Sequence, residues 1–279
     1  MKKLCSLVFA TAVALSSLEA QVKMPAPSPT QTVKQDFAMG SIEIVYSRPS
    51  SKGRKVFGDL VPMRKLWRTG ANQPTKITFS EAVELGGKKV EPGSYALYSI
   101  PAEESWEIIL NKGLSNWGID GYKETEDVVR FKVMPVKSKN MVETFTIQFA
   151  NIKPESCEIQ IQWEQTTVSI PVTANIKDKL KAQIEDALKN AEKKPYWEAA
   201  QFYNEFDKNL PKALENVTKA IEGYPKGYWM IVYKAKIQKE MGDIAGALES
   251  SKRSMELAKE EGNEDYVKIN KDLQKSLNE

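Results

Sequence analysis

From about Thr32 to Thr173 the apolar residues fall in short runs that alternate with polar ones at a period of two. Ser41–Ser47 places Ile42, Ile44 and Tyr46 on one face. Lys76–Phe79, Ser94–Ile100, Trp106–Leu110, Val128–Met134 and Val142–Phe149 repeat the pattern, as do Glu158–Trp163 and Thr167–Val172. These runs are rich in β-branched and aromatic residues, so each predicts a half-buried strand. Turn-forming clusters separate them, among them Leu85-Gly86-Gly87-Lys88, Glu91-Pro92-Gly93 and Lys153-Pro154. Many short strands with no helix between them predict a mostly antiparallel β-sandwich. About 140 residues are enough for such a domain to bury its own core.

At Asn175 the period changes. Ile176, Leu180, Ile184 and Leu188 recur every fourth position, with Asn175 placed to cap the helix they predict. Breaks at Pro195, Pro211, Pro225, Gly242 and Gly262 divide the remainder into five or six helices, an all-α domain over 175–279. Ala213-Leu214 recurs 34 positions later as Ala247-Leu248. The spacing of Trp197, Ala213, Val217, Ala220 and Pro225 resembles a tetratricopeptide repeat, degenerate in its second copy. An array of this kind normally needs three units, so this one would lean on flanking helices or on the sandwich.

The first twenty residues have another character. Lys2 and Lys3 precede an apolar run from Leu4 to Leu15, which is too short to span a bilayer. This is the layout of a secretory signal peptide, with cleavage expected near Ala20 and a periplasmic or extracellular destination. Pro25, Pro27 and Pro29 then make 21–31 an extended lead-in. No later segment reads as a transmembrane span. Cys5 would leave with the leader, and Cys157 alone cannot form an internal disulfide.

Composition narrows the chemistry. The chain has no histidine, which excludes a Ser-His-Asp triad, a Cys-His pair and His-containing zinc sites. No metal site and no cofactor are expected. Asn116-Trp117-Gly118-Ile119-Asp120-Gly121-Tyr122 has the look of an exposed loop, but it lacks the dense oxygen set of a calcium site. The overall charge is only +3, yet Tyr46–Lys76 holds eight cations against one acid, Asp59, a local charge of +7. Such polarity steers an anionic partner to one region. Nothing in the chain resembles a nucleic-acid-binding motif.

That basic segment also carries a resemblance. Tyr46-Ser47-Arg48-Pro49, Gly53-Arg54, Phe57-Gly58, Leu60-Val61-Pro62 and Trp67-Arg68-Thr69-Gly70-Ala71-Asn72 resemble the family catalogued as domain of unknown function 2911. Pro92-Gly93-Ser94-Tyr95-Ala96-Leu97, Trp106, Asp127, Glu143 and Trp163-Glu164 extend the likeness over about residues 28–173. The resemblance implies a secreted protein and brings no catalytic residues with it.

Arg48, Arg54, Trp67, Arg68, Thr69 and Asn72 form the candidate ligand site. Guanidinium forks grip carboxylates or phosphates bidentately, and an indole can stack on a sugar or a cation. An acidic sugar, a peptide carboxylate or a phosphorylated compound would fit. The competing reading makes the same residues a loop anchor. Arg68 would then pair with Glu143 or Glu164, Trp67 would plug the core, and Gly70-Ala71-Asn72 would be a tight turn. Lys52, Lys55 and Lys65 read as solvated point charges. Asp127, Glu143 and Glu164 are the possible acidic partners. The helical aromatics, Trp197 and Tyr233 among them, read as core, with a protein-contact surface as the alternative. Three functions remain open: a non-enzymatic binding or adaptor protein, a hydrolase of an anionic cell-envelope glycan or peptide, and a structural envelope component.

Overall fold

The computed structural model describes residues 24–279, so the leader expected over 1–20 and its Cys5 lie outside the described residues. Two antiparallel sheets precede a set of helices. The first sheet holds β1 (Thr30–Phe37), β2 (Gly40–Ser47), β3 (Thr75–Phe79), β6 (Gly93–Ile100), β7 (Trp106–Asn111) and β8 (Asp127–Val133), in the order β1-β2-β3-β6-β7-β8. The second holds β4 (Val83–Leu85), β5 (Lys88–Val90), β9 (Pro135–Lys153) and β10 (Ser156–Thr173), in the order β5-β4-β10-β9. The alternation read from the sequence sets the inward faces. Ile42, Ile44, Ile77 and Phe79 of the first sheet share one core with Ile147, Ile159, Ile161 and Ile170 of the second. Burying each such side chain stabilises the fold by about 1.5–3 kcal/mol. Cys157 joins this core, where burial, aided by the Glu158 charge, pushes its thiol up to about 11.

Tyr46 stitches the two sheets together. Its hydroxyl accepts from the Ile147 amide (2.9 Å) and donates to Gln31 Oε1 (2.8 Å).

β10 folds back on itself. The Ala174 amide donates to Glu155 O (3.0 Å) and Gln160 Nε2 to Ser169 Oγ (3.3 Å), so its two halves lie side by side. The bend falls at Glu164, which takes a left-handed φ of 50°. β9 wraps around this tip: Val142 pairs with Glu164, and Pro135–Lys137 pair with Thr166–Val168. The register shifts on both sides of Glu164, as a strand turning a corner requires.

Six helices follow: α1 (Lys177–Asn190), α2 (Tyr196–Glu205), α3 (Leu210–Gly223), α4 (Tyr228–Glu240), α5 (Ile244–Glu260) and α6 (Glu264–Leu277). Asn175 does not cap α1. The cap position is Ile176, and no side chain bonds the first turn there. Pro211 sits inside the first turn of α3, where a missing N–H costs nothing, rather than between helices. Asn209, Asp243 and Asn263 do cap, each accepting from an amide three residues on. Ala213 and Ala247, the repeated small residues, are both fully buried. Phe206, just after α2, is partly buried against the sandwich core. Among the described residues no helix is long and apolar enough to cross a membrane.

Candidate functional site

The long connection from β2 to β3, residues 48–74, closes one end of the sandwich. Its centre is Trp67, whose amide donates to Ser99 O (2.8 Å) and whose carbonyl accepts from the Ser99 amide (2.9 Å). Trp67 thereby extends the ladder beside β6 past the point where β3 has begun. Its indole enters an aromatic cluster: Trp163 stacks at 6.2 Å between centroids and 22°, while Phe145, Trp106 and Phe57 meet it edge-on. Such contacts add to the area term by about 0.5–1.5 kcal/mol per pair. The Trp67 Nε1–H donates to Gly70 O (3.0 Å), and the Trp163 Nε1–H to Glu143 O (3.0 Å).

Most of the nominated polar groups hold this connection down. Arg48 donates to Phe145 O (3.1 Å) and Thr146 Oγ1 (2.9 Å), closing off the outer edge of β9. Thr69 is fully buried and shares a hydroxyl hydrogen bond with Ser99 (2.9 Å). Asn72 donates to Ser47 Oγ (3.2 Å). Glu143 accepts from the Ser51 hydroxyl and from the Lys52 amide (2.7 Å). Those two hydrogen bonds, with the Arg54 charge behind them, hold its carboxyl below the usual range. Glu164, at the β10 bend, accepts from the Val56 amide (2.9 Å). Both glutamates therefore bind loop backbone, and Arg68 is partner to neither.

Asp127 belongs to a separate assembly on β7 and β8. It accepts from Asn111 Nδ2 (2.8 Å), Tyr122 Oη (2.9 Å) and Arg130 Nη2 (2.8 Å). Arg130 also donates to Glu107 (2.7 Å). With Asn116 donating to the buried Tyr98 hydroxyl (3.1 Å), this network fixes both ends of the loop 116–122.

That loop and the β2–β3 connection bound a cleft of about 510 Å³. Trp67 and Trp163 line it, with Leu60, Val61, Leu66 and Ile119 as apolar walls. Its charged side chains are Arg54, Lys65 and Arg68, and no acidic residue lines it. Arg54 uses Nε and Nη2 on its own loop carbonyls, Ser51 O (2.9 Å) and Ser50 O (3.1 Å). Arg68 is half-buried, and its Nε is shut off from solvent with no hydrogen-bond partner. Gly118 lies over it: a Cβ there would stand 3.1 Å from Arg68 Nη1, on a backbone with φ of +64°. A guanidinium half withdrawn from water without an acceptor is an unfavourable arrangement.

Backbone strain collects at the same place. Lys52, Arg64, Thr69 and Asn72 all have positive φ, as does Glu164, which accepts from the Val56 amide of the same connection. Thr69, at +52°, is β-branched and therefore the least comfortable of them. Strain of this kind persists where the surrounding contacts over-determine it, and it gathers at ligand sites.

Of the nominated residues, the cleft unites Arg54, Trp67 and Arg68. Arg48, Thr69, Asn72 and Glu143 brace it, Glu164 pins its loop, and Asp127 stands at the base of the neighbouring loop. Lys65, Ile119 and Trp163 line the cleft although the sequence marks none of them as ligand residues. Among the described residues, no group of three or more acidic, histidine or cysteine side chains is placed to hold a metal ion.

The sandwich, basic connection included, coincides with a family model. The model described as protein of unknown function DUF2911 matches residues 28–172. The chain belongs to the DUF2911 family. No curated protein and no solved structure matches it. The DUF2911 match ends at the close of β10, so the six helices lie beyond it.

Proposed function

We propose that the DUF2911 domain is a binding module whose cleft takes an anionic ligand, with Arg68 as the anchoring charge. The observation that carries this reading is the Arg68 Nε, buried without an acceptor in a cleft lined by two further cations and no acid. A carboxylate or phosphate pairing with the rest of the Arg68 guanidinium would neutralise its unpaired charge, and Arg54 and Lys65 would add to the attraction. The hydrolytic alternative has less support. Glycosidic chemistry needs two carboxyl groups flanking the bond, and Asp127, Glu143 and Glu164 are engaged elsewhere. In this reading the protein is exported after cleavage near Ala20 and works in the periplasm or outside the cell. The helical half, with its likeness to a tetratricopeptide repeat, offers a surface for a protein partner.

The test is a thermal-shift screen of the mature protein against carboxylates and phosphates, with Arg68→Gln alongside. A ligand at a hundred times its Kd stabilises the folded state by about 2.7 kcal/mol. The expected result is a shift in the wild type that is lost in a folded Arg68→Gln protein. A shift that survives the substitution, or none with any anion, would overturn the proposal.

A further inference from the structure

The cleft also restricts what the anion can be attached to. Every hydrogen-bonding side chain in its lining is a cation or an indole, and no Asn, Gln, Ser, Thr, Tyr, Asp or Glu is present. Both indole N–H groups are already bonded to backbone carbonyls. A sugar, nucleoside or peptide carries several hydroxyl or amide groups, and each one buried without a partner weakens binding. The rings offer no stacking platform either. Trp67 is 8% and Trp163 3% exposed, and they stack on one another with Phe145 and Phe57 against both. Sugar recognition through a ring face needs that face open, and these are closed.

The cleft does offer aliphatic wall. Leu60 and Ile119, from its two bounding segments, are 36% and 48% exposed, and half-buried Leu66 also lines it. Large apolar side chains beside three cations form a two-part surface. Its volume of about 510 Å³ corresponds to roughly seventeen waters at about 30 Å³ each, ample for a medium alkyl or aryl group. The charge and the wall demand different chemistry at the two ends of one small molecule.

We infer that the ligand is a free amphiphilic acid. It has one carboxylate or phosphate head, bound at Arg68, and an alkyl or aryl body without further hydroxyl or amide groups, lying against Leu60, Leu66 and Ile119. This rests on the anion-binding reading above and narrows it.

Titration calorimetry, with tryptophan fluorescence as a second readout, tests it with six probes: octanoate, octyl phosphate, acetate, inorganic phosphate, octanol and glucuronate. Octanoate or octyl phosphate should bind at least about tenfold tighter than acetate or inorganic phosphate, because part of the chain is buried. The tighter of the two names the head group. Octanol should bind at least about tenfold more weakly than octanoate, and Arg68→Gln should remove that difference. Ile119→Ser, at a half-exposed position, should narrow the gap between octanoate and acetate without disturbing the fold. Acetate or glucuronate binding as tightly as octanoate would overturn this inference and leave the anion reading standing. Octanol binding as well as octanoate, with no response to Arg68→Gln, would sink the anion reading itself. A preference for anionic vesicles over dispersed octanoate would also overturn the free-ligand proposal.

Discussion

Arg130 and Arg68 lie in the same domain and meet opposite surroundings. Arg130 donates to Glu107, Asp127 and the Tyr122 hydroxyl. Burial opposes its charge, but the Asp127 and Glu107 hydrogen bonds outweigh that and raise its pKa. Arg68 has an orphaned Nε and a cleft free of acids around it. One guanidinium is satisfied by the fold, and the other has a buried nitrogen that the fold leaves without an acceptor. Two arginines in a β-rich domain can therefore have unrelated roles, and their partners separate the two more surely than their burial does.

The most severe way to break the contrast is to remove the floor beneath Arg68. Trp67→Ala should destabilise the sandwich by about 3–5 kcal/mol in urea denaturation, since a large buried aromatic is deleted from a packed cluster. A cost below about 1 kcal/mol would mean that the aromatic cluster does not support the cleft.

A paired comparison tests the contrast directly. Arg130→Gln strands Glu107, takes the counter-charge from Asp127 and should cost about 2 kcal/mol. Arg68→Gln relieves an unpartnered charge and should stay within about 1 kcal/mol of the wild type, or stabilise the protein. Equal costs would place Arg68 among the structural residues.

The smallest effect is expected at the clamp on the β2–β3 connection. The Ser51 hydroxyl, the Lys52 amide and the Arg54 charge favour ionised Glu143 in the folded state. Its contribution is complete above the unfolded value of about 4.3 and is lost as pH falls through the lower folded value. The Lys52 amide resonance, followed from about pH 6 to about pH 3, should report this release in the wild type. Glu143→Gln should abolish the step. A step that persists in that variant would assign the release to another carboxyl.

The sequence pattern exposes those strands that carry several large buried apolar residues. β2 and β3 alternate, β6 and β7 stand out by apolar runs that are buried on both faces, and the runs 158–163 and 167–172 are the two arms of β10. β1 escapes notice because Val33 and Phe37 are its only large apolar residues on an edge strand. β4 and β5, three residues each, are too short to display a period. The bend at Glu164 lacks the Gly or Asn that usually announces one. At the site, local charge density marks Arg54 and Arg68. It cannot show that Arg48 is used up on β9, or that Ile119 and Trp163 complete the cleft, because those contacts join distant segments.

The clamp from the Val56 amide to the Glu164 carboxylate spans 108 positions of chain, and the Tyr46–Ile147 stitch spans 101. Contacts that close such long loops form late, whereas helices packed on their sequence neighbours assemble quickly. During refolding the helical half should gain its ellipticity first, and the environment of Trp67 and Trp163 should mature last. The cleft is then the final part of the protein to exist, and any ligand it holds acts on a chain whose folding is otherwise complete.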